Sequence, residues 1–296
     1  MRVRKEAPVR ADRDLVGEIA ARHLPAAVAA RWLRLLRPAA ALRRADAGAQ
    51  VAAVLGGHPV LPDSVAWPVW EGHGPLSFVA AVDCAALAVV PLDISLPRAG
   101  ALLFFYFDGQ YDNHEVTVGT WDPQTLAGAR VLYAGPGENA SIRECPAGIQ
   151  PYPRVELAAE PVVTFPGFEH PDLQAAFRAP GEDLRSFLNH PVNEEAFLQA
   201  LTDRRHGPCH QVGGYAAPVQ GPVEYEVAAA ALDDRSWGDD PQLHAEQARW
   251  TLLAQIDSDG SAGMMWGDCG CLYWLARRAE MTHSHLPPTS FTWQCA

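Results

Sequence analysis

The chain of 296 residues contains a single lysine, Lys5, and only six cysteines, and it has no long apolar run. It lacks the GxxxxGK[ST] and GxGxxG motifs of nucleotide-binding loops and the GxSxG, SxxK and HExxH motifs of hydrolases. Six cysteines are too few for the disulfide framework of a small secreted domain. The longest apolar stretch, at 101–107, is far shorter than the roughly 18 residues of a membrane-spanning helix. These absences disfavour a nucleotide enzyme, a disulfide scaffold and a membrane protein.

The composition is that of a globular chain, with 48% hydrophobic and 20% charged residues. The length is close to the size at which one core stops growing, so we expect one large domain or two closely joined halves. The net charge of −12 is uneven: residues 1–46 carry +6 and the remainder carries −18. An acidic body disfavours nucleic acid as a partner, and the basic lead segment is expected to pack on it. No secretory signal or membrane partner is indicated, so a cytoplasmic location is expected.

The spacing of apolar residues predicts most of the helices. Two N-terminal helices are expected around 15–23 and 28–36, with their arginines on a solvent-exposed face. Three short helices are predicted between 171 and 203. A further helix is expected to open at Asp240-Pro241, where an aspartate cap precedes a proline at the first helical position.

Short β-rich runs between Gly and Pro residues predict the strands. They lie at 76–83, 101–107, 116–121, 131–134, 251–257, 271–276 and 291–295. The run at 102–107 is apolar throughout, which is typical of a strand covered on both faces, and we expect it to be central.

Two parts of the chain follow the same pattern of a glycine pair, a strand ending in aspartate, and a glycine before an aromatic strand. The first part contains Gly56, Gly57, Asp83 and Gly100, and the second contains Gly213, Gly214, Asp257 and Gly270. This pattern predicts a duplicated sheet unit. We therefore expect an α+β fold with a β-rich body, in which a helical segment at 1–48 packs on a domain at 49–296. The predicted repeat halves are about 49–165 and 205–296, and the helical connection is about 168–204.

Four segments carry a family resemblance: GGHPVLPDSVAWP at 56–68, PLSFVAAVD at 75–83, HQVGGYAAPVQG at 210–221 and LLAQIDSDGSAGMMWGDCGCLYW at 252–274. Together they resemble the YwqG-like family, a bacterial family classed as a domain of unknown function. The resemblance runs from about residue 50 to the last residues. It implies an α+β fold with pseudo-repeated sheet units and no established catalytic activity, so it supplies no catalytic residues.

Tryptophans in Gly/Pro-rich connections predict a contact surface, because loop aromatics often anchor interfaces and ligand clefts. They are Trp67, Trp70, Trp121, Trp237 and Trp266. Any single loop tryptophan more often covers the core. The predicted binding residues are Trp67, Trp70, Asp83, His210, Tyr215, Gln255, Asp257, Trp266 and Asp268. We expect a non-catalytic binding module without a cofactor for a protein partner or a small ligand, with immunity-like neutralisation of a toxin as one form.

The alternative is a metal-dependent enzyme of the hydrolase class. Cysteines and histidines near the C-terminus offer ligand types for zinc. They are Cys269, Cys271, His283, His285 and Cys295, and His206, Cys209 and His210 are possible additions. A Cys-x-Cys pair within an aromatic strand is, however, more often part of a core.

Calcium is a second alternative, because oxygen-bearing residues alternate after the strand at 251–257. Asp257, Asp259, Ser261 and Asp268 occupy positions 1, 3, 5 and 12 of a calcium-loop pattern. Ala262 stands at position 6, where the pattern requires glycine. The simpler interpretation is a polar turn in which the aspartates accept local backbone hydrogen bonds.

Overall fold

The computed structural model describes residues 6–204, 207–233 and 240–296. Its helices are α1 (Glu6–His23), α2 (Ala26–Trp32), α3 (Cys84–Leu87), α4 (Pro171–Phe177), α5 (Leu184–Phe187), α6 (Glu195–Thr202), α7 (Val223–Leu232) and α8 (Pro241–Gln247). Its strands are β1 (Arg37–Arg44), β2 (Ala53–Leu55), β3 (Val60–Pro62), β4 (Val69–Trp70), β5 (Gly74–Pro75), β6 (Ser77–Asp83), β7 (Ala101–Tyr106), β8 (Ala129–Ala134), β9 (Ala140–Ile142), β10 (Val155–Thr164), β11 (Gln211–Val212), β12 (Trp250–Asp257), β13 (Cys271–Arg277) and β14 (Thr289–Gln294). The predicted class, α+β with a β-rich body, is confirmed.

Ten of these strands form one antiparallel sheet in the order β14-β13-β12-β11-β1-β10-β2-β6-β7-β8. The central pair is β1 and β10. We call β2, β6, β7 and β8 the first meander and β11 to β14 the second meander. From either edge of the sheet, the four strands of one meander come first and one strand of the central pair follows. The two meanders therefore correspond to each other, and β1 corresponds to β10.

The two meanders also share local irregularities. The pairing of β6 with β7 shifts register at 78–80, and the pairing of β12 with β13 shifts at 252–254. In each meander a glycine amide donates a hydrogen bond to the carbonyl of the residue in the middle of the shifted segment. Gly56 donates to Val79 at 2.9 Å, and Gly213 donates to Leu253 at 3.1 Å. A bulge of this kind bends the strand and increases its twist.

The sheet bends back on itself, so that strands from opposite ends of its order share one core. Phe104 of β7 and Trp274 of β13 contact with ring centroids 5.0 Å apart. Tyr106 of β7 and Phe291 of β14 lie 5.1 Å apart. Burial of this apolar surface is the main favourable contribution to folding.

Helices cover the other face of the central and second-meander strands. Helices α1, α2, α4 and α6 form a cluster over β10, in which Trp32 and Phe197 contact edge to face at 5.0 Å. Helix α7 packs on β12 and β13 through Val223 and Val227. Within the described part of the chain, no helix combines the length and apolar character that crossing a bilayer requires.

Several predicted elements match the observed ones. The two N-terminal helices, the three short helices α4 to α6 and the strands β12, β13 and β14 are present at the predicted places, whereas β11 was not predicted. Helix α8 begins at Pro241, and the Asp240 carboxylate caps it by accepting the amide of Gln242.

Other predictions were wrong. The strand at 101–106 is not central, because β7 lies beside the edge strand β8. The segment 116–121 contributes only an isolated bridge between Gly119 and Asp122. The central strands β1 and β10 and the helix α7 were not predicted, and β1 falls inside the segment assigned to helices. Its sequence, RPAAALRR, consists mainly of good helix formers, and pairing with β10 and β11 decides its conformation instead.

Gly270 precedes β13 at a point of close backbone approach. A Cβ there would lie 2.2 Å from the carbonyl oxygen of Gln294 and 2.5 Å from that of Trp266. We expect Gly270→Ala to lower the free energy of unfolding by about 1–3 kcal/mol, measured by urea denaturation. Gly260→Ala is the matched control, since nothing lies within 4 Å of its added Cβ. Equal losses in the two variants would contradict this close approach.

Candidate functional site

Ionisable side chains gather where β1 begins, β10 ends and the loop 213–222 follows β11. Arg37, the first residue of β1, is paired in register with Thr164, the last residue of β10. Gly213 and Gly214 open the loop with φ angles of 71° and 74°, a conformation that favours glycine. A Cβ on Gly214 would lie 2.4 Å from Thr164 Oγ1, so glycine lets the loop pass directly over the strand end.

Asp93 organises this region from the connection between α3 and β7. Its side chain is 7% exposed and accepts hydrogen bonds from the Gly214 amide at 2.6 Å and from Arg278 at 2.8 Å. Arg278 also donates to Thr251 Oγ1 at 2.7 Å. A buried carboxylate with a charged partner and a backbone donor is well satisfied. Through Arg278, which directly follows β13 and contacts Thr251 of β12, Asp93 connects the loop to these two strands.

Arg37, Asp172 and Tyr215 form a second set of contacts beside Asp93. The Arg37 guanidinium and the Tyr215 hydroxyl both donate to Asp172 Oδ2, each at 2.6 Å. The guanidinium also stacks 4.0 Å from the centre of the Tyr215 ring, a cation–π contact. Burial, followed by the hydrogen bond to Asp172, raises the pKa of Tyr215, so its hydroxyl keeps its proton at neutral pH.

A cavity of about 300 Å³ opens between loop 213–222, segment 167–170 and the start of α7. We call it the Tyr215 cavity. Its apolar walls include Phe168, Ala216 and Val219, and its ionisable groups are Glu169, His170, Tyr215 and Glu224. The volume falls at the small end of the range of ligand pockets, about 300–1,000 Å³, and apolar walls with a few polar groups are typical of them.

His170 presents a neutral imidazole at the cavity. Its ring lies edge-on to the Tyr215 ring, with centroids 4.8 Å apart. Nδ1 accepts the amide of Asp172 at 3.1 Å, so the neutral ring carries its proton on Nε2. Burial lowers the pKa of His170 to about 4, which keeps it uncharged at neutral pH.

Glu224 lies in the first turn of α7 and lines the cavity while being only 5% exposed. Burial raises the pKa of Glu224 to about 7. In the part of the chain that the structure describes, its carboxyl receives no hydrogen bond except from its own amide. Glu226, two residues further on, accepts from Thr292 and Gln294 instead. Glu224 is therefore a buried carboxyl without a partner residue at the cavity wall.

Three buried glutamines hold the loop that roofs this cavity. Gln211 donates to two loop carbonyls at 2.7 and 2.9 Å, and Gln255 accepts a loop amide at 2.9 Å. Gln294 accepts two loop amides at 2.9 and 3.0 Å. Because the glutamines extend from β11, β12 and β14, the sheet itself fixes the loop.

Of the predicted binding residues, Tyr215 lines this cavity and Gln255 supports its loop. His210 and Asp257 lie in a separate cluster at the ends of β11 and β12. His210 Nδ1 accepts the amide of Asp257 at 3.1 Å, and Nε2 donates to Asp259 at 3.1 Å. Both ring nitrogens are thus engaged, and His210 connects two segments of backbone.

The predicted tryptophan surface is not formed as expected. Trp70 is 6% and Trp266 is 3% exposed, so their indoles belong to the core. Trp67 is half-buried and donates to the carbonyl of Leu76, directly before β6, at 2.9 Å. Trp121 is 54% exposed. Trp237 lies outside the described residues.

The two remaining predicted carboxylates also lie apart from the Tyr215 cavity. Asp83 caps α3 by accepting the amide of Ala85 at 2.7 Å, and it lines a groove of about 540 Å³ beside β2, β6 and β7. Asp268 is exposed, and its carbonyl accepts the amide of Ala296.

The predicted zinc ligands do not converge. Cys271 is buried in the cluster beneath α7, where burial raises the pKa of its thiol well above the ordinary value. Cys269 and His285 are exposed, and His283 contacts a backbone carbonyl at 3.1 Å. Cys295 is partly buried beside Gly267. Across residues 6–204, 207–233 and 240–296, no three His, Cys, Asp or Glu side chains form a group that could hold a metal ion. His206 lies outside these residues.

The carboxylates of the predicted calcium loop serve local donors. Asp257 accepts the amide of Cys209 at 2.7 Å, and Asp259 accepts the amide and the hydroxyl of Ser261 at 2.7 and 2.6 Å. This agrees with the interpretation of the segment as a polar turn.

Sequence reasoning missed Glu224 and His170, and it placed Arg37 among solvent-exposed arginines. The segment HQVGGYAAPVQG, which contains the loop, and the predicted residue Gln255 pointed to this place. No pattern in the sequence marks Glu224, because its burial results from the packing of α7 against the loop.

Asp93→Asn should lower the free energy of unfolding by about 1.5–3 kcal/mol, since it removes the charge-assisted hydrogen bond from Arg278, whose side chain is 37% exposed. Glu160→Gln is the control, because the pair of Glu160 with Arg43 is long, 3.8 Å, and Glu160 is 63% exposed. We expect the control to change stability by less than about 1 kcal/mol. A similarly small effect of Asp93→Asn in urea denaturation would contradict a stabilising role of the Asp93 charge.

Glu224→Gln should alter the pH dependence of stability. The folded-state pKa of Glu224, about 7, lies above the ordinary 4.5, so its ionisation destabilises the fold as pH rises from 4.5 to 7. This loss is of the order of 3 kcal/mol. The free energy of unfolding of the variant, taken relative to that of the wild type, should therefore be higher at pH 8 than at pH 5. Asp268→Asn, at an exposed carboxylate, is the control for a lost carboxylate, and the wild-type pH dependence in Glu224→Gln would contradict the prediction.

A family model described as a domain of unknown function, DUF1963, matches residues 53–295. The match begins at β2 and reaches the end of β14, so it includes both meanders and all residues that line the Tyr215 cavity. Arg37, at the base of the cavity, lies before the matched region. It supports a family of unknown function, and it does not carry the YwqG-like name. No curated protein matches the chain. The chain belongs to the DUF1963 family.

Proposed function

We propose that the protein is a non-catalytic binding module whose ligand site is the Tyr215 cavity. The observation that carries the proposal is a cavity of about 300 Å³ with apolar walls and, at its wall, the buried carboxyl of Glu224 without a partner residue. Buried polar groups ordinarily have hydrogen-bond partners, because an unpaired one costs free energy. A ligand that pairs with Glu224 removes this cost.

The walls of the cavity are held in place before a ligand arrives. Three glutamines fix the loop, and Asp93 holds its first turn through the Gly214 amide. A site that is already ordered loses little conformational entropy on binding, which favours affinity.

The chemistry of the lining favours binding over catalysis. Among the described residues that line the cavity there is no Ser, Thr, Cys or Lys, so a hydroxyl, thiol or amine nucleophile of these types is not supported. The Tyr215 hydroxyl is engaged by Asp172, and one nitrogen of His170 accepts a backbone amide. A metal-dependent hydrolase is likewise not supported by the placement of the predicted ligands.

Other parts of the hypothesis stay predictions. These are a protein partner, immunity-like neutralisation of a toxin, a cytoplasmic location and a bacterial origin. Among the loop tryptophans that the structure describes, Trp121 is the one whose exposure suits a protein partner.

A duplication of the sheet unit belongs to the same proposal. The matching strand order and the matching register shifts of the two meanders support it. The positions of the three glutamines that hold the loop correspond, by strand register, to small apolar residues in the first meander: Val54, Ala81 and Ala134. Without amide groups, these positions cannot hold a loop in the same way, and a groove of about 540 Å³ lies beside Val54 and Ala81.

The test is a thermal denaturation screen against small amines, carboxylic acids, sugars and nucleosides. Val219→Trp is designed to fill the Tyr215 cavity, and Val60→Trp is its matched control in the groove of the first meander. The two valines are 41% and 50% exposed, so both variants are expected to fold. At least one class should raise the Tm of the wild type and the control, and Val219→Trp should abolish the effect.

Two results would overturn the proposal. If stabilising compounds lose their effect in Val60→Trp and keep it in Val219→Trp, the ligand site is the groove. If no class raises the Tm, the Tyr215 cavity is not a small-ligand site.

A further inference from the structure

The charges at the base of the Tyr215 cavity are paired with one another. Arg37 donates to Asp172 at 2.6 Å, and Arg278 donates to Asp93 at 2.8 Å. Each arginine thus has its own carboxylate, and neither is left to attract an anion into the cavity.

Two carboxyl groups of the cavity wall remain outside these pairs. Glu224 is buried, and Glu169 is half-buried. In the described ranges, neither carboxyl has a cationic partner within 4.0 Å. The cavity therefore has an excess of groups that become negative on ionisation.

Burial acts on both groups in the same direction. It raises the pKa of Glu169 and of Glu224, because the surroundings disfavour a carboxylate that lacks a counter-charge. An anionic ligand would add to this penalty. An ammonium group would relieve it by donating charge-assisted hydrogen bonds.

The rest of the wall suits an apolar body. Phe168 is 37% and Val219 is 41% exposed, and prolines complete the surface beside them. Aromatic faces also attract cations, and the Tyr215 face is already taken by Arg37, which leaves Phe168.

We propose that the Tyr215 cavity binds a small organic cation, with its ammonium group on the Glu224 carboxylate and its apolar body against Phe168 and Val219. This inference rests on the proposed function, since it names the ligand class of the same cavity. Glu169, which is half-buried, supplies a second carboxylate to the cavity lining.

Binding of such a cation depends on pH in a defined direction. The groups that act on Glu224 are Arg37, which favours its ionisation, and Asp172 and Glu226, which oppose it. Glu169 and the neutral His170 share the cavity wall. Because the cation pairs with the ionised carboxylate, affinity should fall as pH is lowered below about 7, approaching about tenfold per pH unit. Binding at pH 6 should release a proton.

The experiment compares three probes of similar shape by isothermal titration calorimetry at pH 8: phenethylammonium, 2-phenylethanol and phenylacetate. We expect phenethylammonium to bind at least about tenfold more tightly than 2-phenylethanol, and phenylacetate to bind least. Glu224→Gln should weaken phenethylammonium about tenfold and remove the dependence on pH between 6 and 8. Its affinity for 2-phenylethanol should stay within about twofold, which shows that the cavity is intact. Glu160→Gln is the control for a lost carboxylate elsewhere.

The results separate this inference from the proposed function. If phenethylammonium binds equally to the wild type and Glu224→Gln, the inference is overturned. If 2-phenylethanol or phenylacetate binds best and Val219→Trp abolishes that binding, the ligand class is wrong while the cavity remains a ligand site. If none of the three probes binds, the inference is overturned, and the thermal screen decides the proposed function separately.

Discussion

The antiparallel ladder between β1 and β10 is the interaction on which the structure depends. Eight residue pairs, from Arg37 with Thr164 to Arg44 with Leu157, join the strands, and each strand carries one meander on its outer side. Loss of the ladder would break the hydrogen-bonded continuity of the sheet between the two meanders, which would then meet through their shared core alone. The same ladder places Arg37 and Thr164 beneath loop 213–222, so the geometry of the cavity follows from the register of the central pair.

The Tyr215 cavity combines a rigid frame with one buried carboxyl that no other described residue pairs with. Asp93 and the three glutamines have their hydrogen bonds satisfied, and they hold the loop against the sheet. Glu224 is buried beside them without a partner residue, which lowers stability at neutral pH and gives the cavity its chemical character. Perturbed ionisable groups in a cleft are a common feature of functional sites, because the free-energy cost is recovered when a ligand binds.

The accuracy of the sequence predictions differed between elements for physical reasons. Helix α8 was predicted from Asp240 and Pro241 because a cap and a proline act locally. The strand β1 was missed, since its alanines and arginines have high helix propensity and its conformation is set by partners more than 100 residues away. Among site residues, Tyr215 was found through its glycine-rich loop. Glu224 was not, because its sequence neighbourhood, VEYEV, resembles any exposed helix start.

The sequence by itself determined the α+β class, the repeated Gly and Asp punctuation of the two strand sets, and the short helices between them. These features depend on spacing and on local backbone preferences, which adjacent residues impose. The tertiary structure alone decided which strands are central, which tryptophans are buried and which carboxyl group is buried at the cavity wall. Each of these depends on contacts between distant segments. Because α7 and loop 213–222 pack against the sheet, the helix residue Glu224 is buried and lines the cavity.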